Sequence, residues 1–113
     1  MRYTIADSLK TVFTGVEKMK LIIEVMEIEG TCPVYKIGDK IVLDEGFRVN
    51  LEETDNMCLH SMASIIPYHA ALARGINPVE LGLAKTGDAA YVQCLDPQKH
   101  TGGGTVTFKI TRE

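Results

Sequence analysis

The sequence predicts an α+β domain: a mostly antiparallel sheet or small open β-barrel packed around one central kinked helix, with an N-terminal helical extension. Three observations predict it. Strand-rich stretches flank a single long helical pattern at residues 56–75. That pattern is almost entirely apolar, as a helix enclosed by sheet should be. Pro67 interrupts its middle, removing a backbone donor and crowding the preceding turn, which predicts a kink or break near Ile66.

Residues 4–14 read as an amphipathic helix. Thr4 caps it, Asp7 suits its first turn, Ile5, Leu9, Val12, Phe13 and Val16 share a face, and Gly15 stops it. Met19-Lys20 then opens the compact part, dividing the chain into an extension, 1–18, and one domain, 19–113. Residues 21–29 form the strongest strand, with β-branched side chains on both faces and hence a central place. Turns at Gly30-Thr31-Cys32-Pro33 and Ile37-Gly38-Asp39-Lys40 bracket a short strand at 34–36, and another strand runs over 40–43. After the turn Asp44-Glu45-Gly46, Phe47, Val49 and Leu51 alternate with Arg48 and Asn50 as a half-buried strand. An acidic loop, 52–55, leads into the helix.

In that helix Asp55 or Asn56 caps the start and Gly75 ends it. Leu59, Met62, Ile66, Ala70 and Ala73, widened by Ile65, His69 and Leu72, form the stripe expected in the core. Ser61, Ser64, Tyr68 and Arg74 are its clearly polar positions, and His69 reads as a hydrogen-bonded core histidine. Asn77-Pro78 predicts one or two helical turns over 79–83. Residues 90–95 read as a strand and 98–104 as a flexible connection. Val106, Phe108 and Ile110 alternate with Thr105, Thr107, Lys109 and Thr111 as a last strand with one wet face.

The chain of 113 residues holds one hydrophobic core. Its net charge of −3 and pI near 5.6 argue against nucleic acid as a partner, since phosphate binding needs a concentrated basic surface. No apolar run approaches the roughly 20 residues that span a bilayer. Asp7 and Lys10 stand where the apolar core of a signal peptide would lie. Three widely spaced cysteines do not make a disulfide framework, and the expected compartment is the reducing cytoplasm.

Gly30-Thr31-Cys32-Pro33 with Gly38-Asp39, Cys58-Leu59-His60, Pro67-Tyr68 to Leu72 with Gly75, Cys94-Leu95-Asp96-Pro97 and a closing Val-x-Phe together carry a resemblance. Over residues 19–111 the chain resembles a family of small proteins of archaea and anaerobic bacteria with no established activity. Members of that family begin near Met19, which agrees with reading 1–18 as an extension. The resemblance implies an architecture and a set of residues, not a reaction.

Three functional readings follow. The first is a non-catalytic binding or assembly protein, a homo-oligomer joined through the N-terminal helix. The second is a site made from Cys32, Cys58, His60 and Cys94. Three thiolates and a neutral imidazole suit tetrahedral zinc, or iron in a less usual ligand set, although the sequence has no Cys-x-x-Cys knuckle. The same residues suggest thiol redox chemistry: a helix N-terminus favours a thiolate at Cys58, with His60 or His100 as base and Asp96 to orient the imidazole. The bland alternative is that all three thiols simply pack. The third reading is a small-ligand barrel whose loop, with Asp96, Lys99, His100, Gly102 and Gly103, presents backbone donors to an anion. No nucleotide-binding glycine motif or serine nucleophile elbow is present.

Overall fold

The computed structural model describes residues 19–113. The helical extension expected over 1–18 lies outside the described residues. Within them the order is β1 (Lys20–Gly30), β2 (Lys40–Asp44), β3 (Arg48–Val49), α1 (Leu59–Ala73), β4 (Ala90–Gln93), α2 (Gln98–Thr101) and β5 (Gly104–Arg112). The strands form one open antiparallel sheet in the order β3-β2-β1-β5-β4.

β1 occupies the centre, as its apolar content requires. Leu21, Ile23 and Val25 point into the core, where they meet Ile41 and Leu43 of β2 and Val106, Phe108 and Ile110 of β5. The β1–β5 register shifts between Val25 and Glu27, so Met26 is the extra residue of a β-bulge. A one-residue insertion reverses which parity faces inward. It explains why Ile28, at an even position, packs against the same core as the odd residues before it.

The β4 edge is covered, and so is the stretch of β2 that the two-residue β3 leaves unpaired. At the β4 edge, Tyr91 N–H donates to the Leu83 carbonyl (2.9 Å) and the Gln93 carbonyl accepts from Ser64 Oγ (2.5 Å). At the other edge, Val42 N–H donates to Thr54 Oγ1 (3.0 Å) and Lys40 N–H to Asp55 Oδ2 (2.9 Å), as the acidic loop runs alongside β2. Open backbone edges invite strand addition, and these are occupied. The turn from β2 to β3 places Glu45 and Gly46 both at positive φ (59° and 85°), with Phe47 N–H on the Asp44 carbonyl, the geometry of a type I′ hairpin. A Cβ at Gly46 would lie 2.2 Å from the Ala73 side chain, so this turn can touch α1 only as glycine.

The expectation of a sheet or small barrel wrapped around a central kinked helix is overturned. The sheet is open, and α1 lies on one face of it with its far side in water. Ser61, Ile65, Leu72 and Ala73 are its buried residues, whereas Leu59 is 83% and Ile66 58% exposed. Apolar content did not specify which side of the helix would be inside. Four polar tethers did: Tyr35 at its start, Ser64 to β4, His69 Nδ1 to the Gly46 carbonyl (2.7 Å), and Arg112 Nε to the Ala73 carbonyl (2.9 Å). A carbonyl only accepts, so Nδ1 of His69 carries its proton.

Pro67 does not break the helix, which runs unbroken through it. Pro67 sits on the exposed side, so the Ala63 carbonyl that loses its donor is on the water side. Smaller corrections follow from burial. Residues 34–36 are not a strand, and 79–83 close as successive turns without forming a helix. Phe47 and Leu51 are exposed, so only Arg48 and Val49 pair in β3. Asp55 and Asn56 do not cap α1; Cys58 is the N-cap residue and makes no side-chain cap bond.

Phe108 is fully buried and meets the Tyr35 ring edge-on at 5.4 Å between centroids. Phe108→Ala should lower the unfolding free energy by about 3–5 kcal/mol in urea titration. Phe47→Ala, at an exposed ring, should cost no more than about 0.5 kcal/mol. Equal losses at the two positions would refute the packing described.

Candidate functional site

The polar centre of the molecule lies where the turn after β1 meets the start of α1. Ser61 Oγ donates to the Cys58 carbonyl (2.6 Å), which uses its only proton. Tyr35 Oη must then donate to Ser61 Oγ (2.8 Å), while accepting from the Cys58 N–H (2.8 Å). The three residues close a ring of hydrogen bonds that begins and ends on the Cys58 backbone. It does the work of the missing side-chain cap by satisfying an orphan amide of the helix start. Burial pushes the Tyr35 phenol above its ordinary 10.0, against the pull of its bonds with Ser61 and the Cys58 amide.

The three cysteines lie toward this end of the sheet, and the sulfurs of two of them, Cys32 and Cys94, are engaged with backbone. Cys32 Sγ accepts from the N–H groups of Val34 (3.4 Å) and Tyr35 (3.3 Å). Cys94 Sγ donates to the Gly104 carbonyl (3.6 Å) and accepts from Val106 N–H (3.3 Å). Gly104 packs against the Thr31–Cys32 backbone, where a Cβ would fall 2.7 Å from Thr31 C. Cys58 is half-buried at the N-cap, and His60 is exposed. Among the described residues no group of three or more His, Cys, Asp or Glu side chains is placed to hold a metal ion. The set Cys32, Cys58, His60 and Cys94 expected to hold zinc or iron is thus not among such groups. Proximity along one end of the sheet is not convergence: the main chain engages the sulfurs of Cys32 and Cys94, and the helix turns His60 outward.

The loop from Asp96 to Gly103 is also built differently from the flexible anion cradle expected. Residues 98–101 form α2, which ends on Gly102 in the left-handed conformation (φ 76°). The Asp96 carboxylate accepts from the Thr101 hydroxyl, so it orients no imidazole. Gly103 lies so close to that carboxylate that a Cβ would meet Oδ2 at 2.3 Å, and its carbonyl accepts from Thr31 N–H (3.0 Å). Gly103 and Gly104 serve close packing of chain on chain, whereas Gly102 faces open space and serves to end α2. Lys99 and His100 are exposed on α2.

Two features that sequence reasoning passed over remain. One is the outer side of α1, where Leu59, Ala63, Ile66 and Ala70 lie exposed in a row. Their spacing of four, three and four residues is a heptad seam, of which Leu59, Ile66 and Ala70 are read as core in the sequence. The other is a cleft of about 480 Å³ between the end of α1 and β5, floored by Leu72, Pro78 and Ile110 and walled by Asn77, Asp88 and Arg112. A cleft of about 490 Å³ lies beside Leu83 and Tyr91. Neither cleft is lined by the Asp96–Gly103 residues. Among the described residues, no helix is long and apolar enough to cross a membrane. No family model, curated protein or solved structure matches the chain.

Tyr35→Phe removes the acceptor for the Cys58 amide and should cost about 1–3 kcal/mol of stability. The raised phenol adds a pH signature. A folded-state value above the unfolded 10.0 means that the phenol's contribution is fully present below pH 10.0 and is lost as pH rises through the raised value. The stability advantage of the native protein over Tyr35→Phe should therefore be flat up to pH 10.0 and shrink as pH rises from there through the raised value, in paired denaturation curves. An advantage that widened with alkali would contradict a buried neutral phenol.

Proposed function

We propose that the protein is a non-catalytic assembly domain whose docking surface is the outer side of α1, and that its partner is a second copy of the same chain. The observation that carries this reading is the exposed seam Leu59–Ala63–Ile66–Ala70 on a helix with no Asp, Glu, Lys or Arg between Asn56 and Ala73. Contiguous exposed apolar surface of this kind marks an interaction site more often than an accident of packing.

The seam is complementary to itself. In an antiparallel pair about a two-fold axis near Ser64 and Ile65, Leu59 faces Ala70 and Ile66 faces Ala63. A large side chain then meets a small one at every level, which lets helices interdigitate closely. A two-fold interface of this sort uses the same patch on both subunits. The absence of charge removes like-charge repulsion and leaves nothing that asks for a partner of opposite sign. A membrane surface fits less well, because an interfacial helix carries Lys or Arg on its polar flank and α1 has none.

The association should be weak. Four side chains per protomer fall short of the roughly 1,200 Å² of a standard stable interface. The Ala63 carbonyl, deprived of its donor by Pro67, also loses some hydration on pairing. Sedimentation over a wide concentration range should show a reversible monomer–dimer equilibrium. Ile66→Lys should abolish it while leaving thermal stability nearly unchanged, because Ile66 makes no core contact in the monomer. A protein that stays monomeric at every concentration, or a dimer indifferent to that substitution, would refute the reading.

A further inference from the structure

The cleft at the far end of α1 carries a second, independent inference. Its floor is apolar: Leu72 and Ile110 belong to the core cluster, and Pro78 is buried beside them. Its walls carry one charge of each sign, Arg112 and Asp88. These two do not form an ion pair with each other. The cleft volume, about 480 Å³, falls within the roughly 300–1,000 Å³ typical of small-ligand sites, and its accessible lining is more polar than apolar.

Arg112 is held in position. Its Nε donates to the Ala73 carbonyl at 2.9 Å, which anchors the side chain to the last turn of α1. Its guanidinium lies over Gly75, where a Cβ would come 3.7 Å from one terminal nitrogen. Gly75 is also at φ 85°, so the chain can reverse there and leave the guanidinium against bare backbone. With Nε committed, the two terminal nitrogens remain as a pair of donors suited to a carboxylate. Asp88 is exposed on the same cleft and makes no hydrogen bond or ion pair with another described side chain.

We infer that this cleft binds a small zwitterion with an apolar side chain, of the chemical class of a free aliphatic α-amino acid. Its carboxylate sits on Arg112, its ammonium on Asp88, and its side chain on Leu72, Pro78 and Ile110. Unlike charges that line one cleft without meeting are complementary to a ligand that carries both. A simple fatty carboxylate would leave Asp88 facing like charge, and a simple amine would leave Arg112 facing its own sign, so either should bind less well. The site shares no residue with the seam on α1, and its test does not depend on assembly.

L-Leucine is the probe, titrated into the full chain and followed by calorimetry and by amide resonances of Gly75, Ile76 and Thr111. Saturable binding that shifts those resonances is expected. Asp88→Asn and Arg112→Gln should each weaken it tenfold or more, and 4-methylpentanoate and isoamylamine should bind at least tenfold more weakly than leucine. Asp88→Asn alters an exposed side chain and keeps the fold, so it decides the matter alone should Arg112→Gln lower the melting temperature through loss of the Ala73 contact. The inference is overturned by absence of leucine binding, by undiminished binding to Asp88→Asn, or by equal binding of either one-charge analogue.

Discussion

Hydrogen bonding of β1 to β5 along nearly their whole lengths, from Leu21 against Arg112 to Gly30 against Gly104, sets the register from which the other contacts are measured. Because Gly104 lies under Thr31 and Cys32, the chain leaves β1 in a fixed direction. That direction carries Tyr35 back over Phe108 and delivers its hydroxyl to the first turn of α1. The bulge at Met26 belongs to the same constraint. It turns the far half of β1 so that Ile28 still packs inward, and Gly38 N–H bonds the Val25 carbonyl (2.9 Å) just before the bulge.

The helix is thus secured from outside itself. It has no side-chain cap, carries a proline, and buries only part of its apolar surface, so intrinsic propensity alone would leave it marginal. Tethers from Tyr35, Ser64, His69 and Arg112 distribute its attachment along its length, and each uses a backbone group that would otherwise need water. The same tethers decide which side is turned to the sheet. With the β4 edge and the outer side of β2 bonded by Leu83, Ser64, Thr54 and Asp55, the outer side of α1 is left as an exposed, uncharged apolar row.

Both proposed surfaces are consequences of one helix orientation. Its outward side carries the seam, and its last turn, pinned by Arg112, forms a wall of the cleft. The cysteine-rich end has a different character. There each engaged sulfur is matched to main-chain donors and acceptors, and the ring through Tyr35 and Ser61 is complete, so its polar groups serve to join β1 to α1.

A run of β-branched residues on both faces was enough to place β1, and period-two patterning to place β5, because alternation along Val106, Phe108 and Ile110 allows one inward face and no other. The glycine turns at Gly30, Gly46 and Gly75 were legible for a similarly local reason: positive φ is a property of the residue and its neighbours. The side of α1 that faces the core was not legible. A helix apolar on every side has no preferred face in sequence, and a buried Ser61 reads as polar until the Tyr35 hydroxyl is brought to it from 26 residues away. The surroundings of the cysteines and of the 96–103 loop were not legible for that same reason, since residue type says what a side chain can bind and only the folded chain decides which partner it meets first. Local geometry therefore belonged to the sequence, and the choice of face, of hydrogen-bond partner and of cleft belonged to contacts between distant segments.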